Sequence, residues 1–313
     1  MKIVFMGTPD FSVGALEALI HAGHEITAVV TQPDKAKGRS GHLQFSPVKE
    51  CAVQHGIPVF QPKKIKTPEA IAELKQYEAD VYIVAAFGQI LSREILEMPR
   101  FGCINIHASL LPKYRGASPI NQCIIDGEKE TGVTIMQMDL GVDTGDILTQ
   151  KKVTIDAKET AESLFDKLSQ AGAELIVETL SMLERGEITP VKQDESLSSH
   201  TKMMDKSLGR IDWTKDAVSI ERLVRGLNSW PSAYTLANGK TIKLWSCDVV
   251  SGDSINEQKP GTIVSIAKDS FDVACGKGIL RVCELQLEGK KRMDTKSFLL
   301  GNQWKTGMCL GES

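Results

Sequence analysis

The chain has 313 residues and a mass of 34.2 kDa, with 42% hydrophobic and 25% charged residues. This composition is typical of a globular protein and excludes a fibrous repeat or a disordered tail protein. No run of about 18 apolar residues occurs, which excludes a membrane span, and the short apolar run after Met1 predicts a strand rather than a signal peptide. The seven cysteines form no CxxC pair, which favours a reduced, cytoplasmic chain without a zinc site.

The formal net charge of −3 is unevenly distributed along the chain. Residues 206–313 contain 16 Lys and Arg against 12 Asp and Glu, whereas the remainder contains 21 against 28. A basic C-terminal part favours a polyanionic partner such as a nucleic acid. Chance variation in solvated surface charge explains the asymmetry equally well.

The first half of the chain alternates strand and helix patterns. Apolar runs predict strands at 2–7, 25–32, 80–86, 101–107 and 131–138. Between these runs lie Ser/Thr-Pro pairs, in which the hydroxyl can cap a helix and the proline can occupy its first turn. The pairs are Thr8-Pro9, Ser46-Pro47, Thr67-Pro68 and Ser118-Pro119. Apolar strands separated by helices are buried on both faces, so we predict an α/β fold with a doubly wound, mostly parallel sheet.

The second half of the chain has a different pattern. A long helix is predicted at 159–185, and the polar stretch at 189–206 is interpreted as a linker. Short alternating segments with Gly turns follow, including the closing segment QWKTGM, and these predict strands. The predicted domains are therefore an α/β domain at 1–188 and a small β-barrel of the oligonucleotide-binding (OB) type at 207–313.

The turn after the first strand lacks the glycines of a dinucleotide-binding site. The segment MGTPDF has a single Gly, followed by Thr8 and Pro9, whereas a pyrophosphate site requires further glycines for close backbone approach. An NAD-type site is therefore not expected. Ligands of open α/β sheets nevertheless bind beyond the carboxyl ends of the strands, so the polar residues that follow the predicted strands are candidates for a binding site.

The predicted strand at 101–107 ends in polar residues. Asn105 and His107 are two positions apart, so the alternation of a strand directs both side chains to one face. An amide donor beside an imidazole can bind an oxyanion and transfer a proton. The pair can equally have a structural role, bonding to the backbone of the following loop.

The segment GVTIMQMDLGVDTGDIL (132–148) passes from a strand into a loop with three aspartates among glycines. Such loops often only form turns, and no Glu stands where a calcium loop requires one. We select Asp143 as the functional carboxylate, because a carboxylate facing His107 would orient the ring and favour its charged form.

These motifs resemble those of the folate-dependent formyltransferases. HASLLP at 107–112, the preceding Asn105 and the segment 132–148 match the signature of that family. The resemblance implies that Asn105, His107 and Asp143 form its catalytic triad. Further segments in both predicted domains resemble the members that act on an initiator tRNA: MGTPDFSV (6–13), TQPDKAKGR (31–39), SPVK (46–49), FGQIL (87–91), RIDW (210–213) and RGLNSWPSAYT (225–235).

The resemblance also implies the substrates and the residues that bind them. The formyl donor would be 10-formyltetrahydrofolate, the acceptor would be the α-amino group of methionyl initiator tRNA, and no metal would be needed. Folate contacts are implied for Ser109, Leu110, Leu111, Pro112, Phe87, Gly88, Gln89, Ile90 and Leu91. The loop at 32–45 would contact the tRNA through Lys35, Lys37 and Arg39. We expect a cytoplasmic monomer that does not bind membranes.

Three other interpretations fit parts of the pattern. A formyltransferase that acts on an amino-sugar nucleotide shares the triad and the donor but lacks the PDKAKGR-type loop. A glycinamide ribonucleotide transformylase needs no second domain. A non-catalytic RNA-binding protein has no need of the complete set Asn105, His107 and Asp143.

Overall fold

The computed structural model describes residues 1–37, 42–251 and 258–311, which form two compact units. The first unit comprises Met1–Pro119, Glu130–Thr154 and Phe165–Thr201, and the second comprises Ile120–Lys129, Ile155–Leu164 and Lys202–Ser313. Two segments of the predicted first domain, 120–129 and 155–164, thus lie in the second unit, and residues 189–201 of the predicted linker lie in the first. None of the helices within the described ranges combines the length and apolarity needed to cross a membrane.

Strands and helices alternate through the first half of the chain, and strands predominate in the second. The strands are β1 (Lys2–Gly7), β2 (Glu25–Val30), β3 (Lys35–Lys37), β4 (His42–Gln44), β5 (Val59–Phe60), β6 (Val81–Ala85), β7 (Cys103–His107), β8 (Arg115–Gly116), β9 (Glu130–Gln137), β10 (Ile147–Thr154), β11 (His200–Thr201), β12 (Ala233–Ala237), β13 (Lys240–Ser251), β14 (Ile263–Ile266), β15 (Phe271–Ala274), β16 (Ile279–Leu287) and β17 (Met293–Asp294). The helices are α1 (Asp10–His21), α2 (Pro47–Gln54), α3 (Pro68–Leu74), α4 (Arg93–Leu96), α5 (Pro119–Asp126), α6 (Ala161–Glu184), α7 (Ala217–Gly226) and α8 (Thr295–Gly301).

The first unit is built on a seven-stranded sheet in the order β10-β9-β7-β6-β1-β2-β5. The strands from β7 to β5 are parallel, whereas β9 is antiparallel to β7 and β10 is antiparallel to β9. The predicted doubly wound, mostly parallel sheet is therefore confirmed. The sequence analysis did not predict β10, because this edge strand is largely exposed and lacks an apolar run.

Both faces of the sheet are covered, as the apolar character of the strands predicted. On β1, Val4 and Met6 belong to an apolar cluster that includes Leu74 of α3 and Ile95 of α4. The opposite face packs on other helices: a Cβ added to Gly172 of α6 would lie 2.9 Å from the side chain of Ile106. Glycine at 172 therefore allows α6 to approach the sheet closely behind β7.

Three of the four Ser/Thr-Pro pairs lie at helix starts as predicted. Ser46 and Thr67 accept hydrogen bonds from backbone N–H groups of α2 and α3, and α5 begins at Pro119. The prediction for Thr8 was wrong, since Pro9 is the N-cap of α1 and forms no side-chain cap. The Thr8 hydroxyl instead donates to the carbonyl of Phe87 at 3.4 Å.

The second unit contains a six-stranded antiparallel sheet in the order β12-β13-β16-β15-β14, with β17 paired to β16. Its apolar core includes Trp213, Phe271 and Phe298. Within the described part of the chain this strand order is a path with two ends, so the OB-type barrel stays a prediction. The segment 303–308 is not a strand; its Trp304 ring packs against Phe271 and Phe298, with centroids 4.9 and 5.0 Å apart.

Asp216 caps α7 and offers a test of the second unit. Its Oδ1 accepts a hydrogen bond from the Ser219 N–H at 2.9 Å. We expect Asp216→Ala to lower the free energy of unfolding by about 1 kcal/mol, because that N–H loses its partner. All four tryptophans of the chain lie in this unit, so urea unfolding followed by tryptophan fluorescence measures the effect.

The effect of Asp216 should also depend on pH. Hydrogen bonds from the Ser219 hydroxyl and N–H lower the pKa of the Asp216 carboxyl. A carboxylate with a lowered pKa stabilises the fold at neutral pH, and this contribution is lost as the pH falls through the lowered pKa. The difference between wild type and Asp216→Ala should therefore shrink in acid. Ser219→Ala keeps the N–H contact and should cost less; equal stability of Asp216→Ala and wild type at pH 7 would contradict the cap.

Candidate active site

The structure brings together the three residues selected from the sequence. Asn105 Nδ2 lies 3.5 Å from Asp143 Oδ1, and His107 Nδ1 lies 3.6 Å from Asp143 Oδ2. The side chains of His107 and Asp143 are 7% and 16% exposed, respectively. A carboxylate, an imidazole and an amide therefore meet in a place with little access to water.

The strand β7 and the loop after β9 create this convergence. Asn105 and His107 alternate with Ile106, which faces α6 on the other side of the sheet. The loop between β9 and β10 begins beside the start of β7, where the Met138 N–H donates to the Cys103 carbonyl at 2.8 Å. From there the loop returns over β7 and places Asp143 against both polar side chains.

The orientation of the His107 ring follows from its second contact. Nε2 lies 3.0 Å from the carbonyl oxygen of Tyr114. A carbonyl only accepts hydrogen bonds, so Nε2 carries a proton and donates a hydrogen bond to the Tyr114 carbonyl. The other nitrogen, Nδ1, is therefore the atom that faces Asp143 and can exchange a proton.

Asp143 is fixed by its backbone and by a neighbouring strand. Its φ of 55° lies in the left-handed region, which few residues other than glycine adopt. Its Oδ2 accepts a hydrogen bond from the N–H of Gly116 in β8 at 2.8 Å. The sequence analysis did not assign a role to Gly116, because a backbone donor leaves no side-chain signature.

The other two aspartates of this loop have structural contacts. Asp139 Oδ1 accepts hydrogen bonds from the Gly141 N–H at 3.0 Å and the Thr144 hydroxyl at 2.6 Å, so Asp139 shapes the turn. The Asp146 carbonyl accepts from the Gln137 N–H at 2.8 Å and closes the loop. The choice of Asp143 as the residue that faces His107 therefore agrees with the geometry.

Hydrogen bonds to neighbouring residues fix the conformation of the segment 109–112, which is one of the two implied folate segments. The Ser109 hydroxyl donates to the Lys113 carbonyl at 2.7 Å, and Thr134 Oγ1 bonds both to the Ser109 carbonyl and to the Leu111 N–H. Ser109 and Leu111 are buried, whereas Leu110 and Pro112 are partly exposed. Only the latter two present side-chain surface to a ligand.

The second implied folate segment, 87–91, follows the carboxyl end of β6. It too contains both buried and exposed residues. Phe87 and Leu91 are buried in the apolar cluster of the sheet. The Gln89 amide accepts from the Ile65 N–H at 2.8 Å and donates to the Pro62 carbonyl at 3.1 Å, so it ties a neighbouring loop. Gly88 and Ile90 are exposed, Ile90 by 72%.

The implied tRNA contacts lie in and around the β3–β4 hairpin. Lys35 and Lys37 belong to β3, but their side chains are not among the described parts of the chain, and Arg39 lies outside the described residues. The base of the hairpin is ordered by Lys49, which bonds to Asp34 and Gln61 and lies 3.9 Å from the centre of the Phe45 ring. Lys49 thus links the residues that enter and leave the hairpin.

The titratable groups of the described residues bear on two further kinds of chemistry, that of a metal site and that of a reactive thiol. Across 1–37, 42–251 and 258–311, no group of three or more His, Cys, Asp or Glu side chains is arranged for a metal ion. Cys103, two residues before Asn105, is fully buried, and burial raises the pKa of its thiol to about 12.

Comparison with known proteins establishes the family. Residues 1–180 match the family model described as formyl transferase, and residues 203–303 match the model of its C-terminal domain. The chain belongs to the formyl transferase family.

Two similar relatives are named methionyl-tRNA formyltransferase. The protein of Lachnospira eligens is 58% identical, with complete coverage of both chains. That of Citrifermentans bemidjiense is 50% identical, covering 100% of this chain and 97% of its own. Among solved structures, an N-formyltransferase from Helicobacter canadensis, in complex with folinic acid and dTDP-3-aminofucose, has a TM-score of 0.68 at 21% identity. The match covers 94% of this chain and 100% of that one, and it shows a shared fold.

Gly145 gives a test of the loop that carries Asp143. A Cβ added at this position would lie 1.8 Å from the carbonyl oxygen of Gln137, so alanine must displace the loop from β9. A displacement of about 1 Å can cost roughly 100-fold in rate, and we expect a loss of this order in formyl transfer by Gly145→Ala. The control is Gly301→Ala, whose added Cβ has no neighbour within 4 Å. Wild-type turnover by Gly145→Ala would show that the position of the loop is unimportant.

Proposed function

We propose that this chain transfers the formyl group of 10-formyltetrahydrofolate to the α-amino group of methionyl initiator tRNA, giving N-formylmethionyl-tRNA for translation initiation. The observation that carries the chemistry is the contact of the Asp143 carboxylate with both Asn105 and His107. The acceptor is inferred from the full-length relatives, which are 46–58% identical and bear the name of this reaction.

Asn105 has the role of stabilising charge on the formyl oxygen. The α-amino group of the acceptor has an ordinary pKa of about 8, so a useful fraction is already neutral at pH 7 and needs no strong base. The demanding step is the addition of the amine to the formyl carbon, which places negative charge on oxygen. The Asn105 amide can donate to that oxygen because its 3.5 Å contact with Asp143 is at the limit of a hydrogen bond.

His107 and Asp143 have the role of moving the proton of the attacking amine. The Tyr114 carbonyl occupies Nε2, so Nδ1 is the nitrogen that can reach the reacting centre. At 3.6 Å from Asp143, Nδ1 is aimed by the carboxylate without being fully engaged by it. Nδ1 accepts the proton of the attacking amine and passes it to the folate nitrogen as the bond between that nitrogen and the formyl carbon breaks. Asp143 orients the ring and balances the positive charge that it carries between these two transfers.

Apolar and backbone surfaces are the proposed means of binding the donor. Leu110, Pro112 and Ile90 offer partly or largely exposed apolar surface within the two implied folate segments. Leu140 and Val142, in the loop before Asp143, are 56% and 59% exposed. An extended aromatic ring would cover such side chains and bury apolar area that faces water in the free protein.

The tRNA would be held by charge. We assign Lys35, Lys37 and Arg39 to its acceptor end, and the excess of basic residues in 206–313 to contacts with phosphates, which carry little sequence information. A cytoplasmic location completes the proposal, because initiator tRNA is aminoacylated and used in the cytoplasm. We also propose that the protein is a monomer.

The proposal is tested by supplying labelled 10-formyltetrahydrofolate with different acceptors. We expect formyl transfer to methionyl initiator tRNA and none to an amino-sugar nucleotide or to glycinamide ribonucleotide. Transfer to either of the small acceptors in preference to tRNA would overturn the assigned substrate while retaining the chemistry. Absence of transfer to all three acceptors would overturn the proposal that the protein is a formyltransferase.

Asn105→Ala tests the role of the amide. Loss of one donor to a developing oxyanion typically lowers kcat by about 100- to 1,000-fold, and we expect a decrease of this order with little change in the KM for the folate. The control is Gln122→Ala, because this amide donates to Asp126 at an exposed position on α5. Steady-state kinetics would contradict the role if kcat stayed within a few fold of wild type, or if the KM for folate carried the whole loss.

A further inference from the structure

A buried guanidinium lies next to the loop that carries Asp143. The side chain of Arg115 is only 1% exposed. It donates from Nε and Nη2 to Gln193 Oε1 at 3.0 and 2.9 Å. It also donates from Nη1 and Nη2 to the two carboxylate oxygens of Glu195, at 2.8 Å each. Arg115 therefore fixes two residues of the stretch that the sequence analysis interpreted as a linker.

Gln193 transmits this constraint to the loop of Asp143. Its Nε2 donates to the backbone carbonyls of Asp143 and Gly145, at 2.8 and 2.7 Å. Both protons of the Gln193 amide are thus donated to carbonyls of the loop, and its oxygen accepts the hydrogen bonds from Arg115. A guanidinium only donates and a carbonyl only accepts, so the Gln193 amide fits between them in a single orientation.

The same short strand therefore holds Asp143 at two points. Gly116, adjacent to Arg115 in β8, donates its N–H to the Asp143 carboxylate at 2.8 Å. Arg115 holds the Asp143 backbone through Gln193. Movement of the carboxylate relative to β8 would have to break both connections, and it is this carboxylate that contacts Asn105 and His107.

We propose that Arg115 and Gln193 are positioning residues for formyl transfer, which set the Asp143 carboxylate against His107 and Asn105. Among the described residues, neither side chain is hydrogen-bonded to Asn105 or His107. Gln193 acts through the backbone carbonyls of Asp143 and Gly145, and Arg115 acts through Gln193. The inference rests on the proposed function, since it assigns the support of the same site.

A purely stabilising role does not account for this choice of residues. The partner carboxylate of Glu195 is 71% exposed, and ion pairs in contact with solvent contribute little to stability. Replacing both members of a buried ion pair by apolar side chains of similar volume is often neutral or stabilising, so such a pair is weak evidence for a stabilising role. The planar guanidinium of Arg115 donates two hydrogen bonds to the Gln193 amide, and this arrangement is suited to fixing the orientation of that amide.

The experiment uses Arg115→Met and Gln193→Met in the full-length chain. Methionine keeps the approximate length of each side chain and removes its hydrogen bonds. We expect kcat for formyl transfer to fall about 10- to 100-fold in both variants, because loss of alignment is a rate effect. The KM for folate should change little, and the loss of kcat should be present at temperatures well below the thermal unfolding of each variant.

The surface offers a matched control. Arg185 forms a similar two-pronged pair with Glu187, at 2.7 Å for both contacts, and among the described residues no hydrogen bond joins it to the loop of Asp143. Arg185→Met should have wild-type kcat. A loss in this variant equal to that in Arg115→Met would overturn the specific role of Arg115.

Double variants distinguish positioning from general destabilisation. If Arg115 and Gln193 act through Asp143, neither substitution should lower kcat further in an Asp143→Ala background. A full, additive loss there would overturn the inference, as would wild-type kcat in both single variants. The proposed function fails separately: in that case the wild-type chain itself would not formylate methionyl-tRNA, or Asp143→Ala would be as active as wild type.

Discussion

The contact of one loop carboxylate with two polar side chains of a buried strand is the constraint on which this site depends. Asp143 lies within 3.5–3.6 Å of both Asn105 and His107, although 38 and 36 positions separate it from them in the chain. The left-handed backbone of Asp143, the Gly116 N–H and the close approach of Gly145 to Gln137 all act to keep the carboxylate there. Without that placement, the amide and the imidazole would be an ordinary polar pair at the end of a strand.

The contacts of Asn105, His107 and Asp143 support a different proposed role for each residue. His107 has one ring nitrogen bonded to the Tyr114 carbonyl, so it cannot act as a freely rotating acid and base. Asn105 is held only loosely, and its amide is free to turn toward an oxygen that develops charge. Asp143 is the most firmly held of the three. This division suits a reaction in which the nucleophile is already available and the carbonyl oxygen needs the support.

Local patterns in the sequence predicted the parts of this structure that depend on local physics. The apolar runs identified the buried strands, because a strand covered on both faces must be apolar at every position, as in β6. The period of two placed Asn105 and His107 on one face. Asp143 was singled out among three aspartates by its expected role and by the family resemblance, since nothing in the spacing alone distinguishes it from Asp139.

Contacts between distant segments were beyond such patterns. The edge strand β10 has no apolar run, and Gln193 lies in a polar stretch that reads as a linker, yet its amide bonds to the loop of Asp143. Gln89 matched a folate motif, but its side chain ties Pro62 and Ile65. The contacts of β10 with β9, of Gln193 with the loop of Asp143 and of Gln89 with its neighbours are all made to backbone atoms. Any residue can supply such an atom, so these contacts leave no trace in the sequence.

The central claim is that Asn105, His107 and Asp143 surround a single reacting carbonyl, and a crystal structure with an unreactive analogue of 10-formyltetrahydrofolate tests it most directly. The account predicts that the formyl oxygen lies about 3 Å from Asn105 Nδ2, with the formyl carbon facing His107 and Asp143. A bound analogue whose formyl group points away from all three side chains would contradict it.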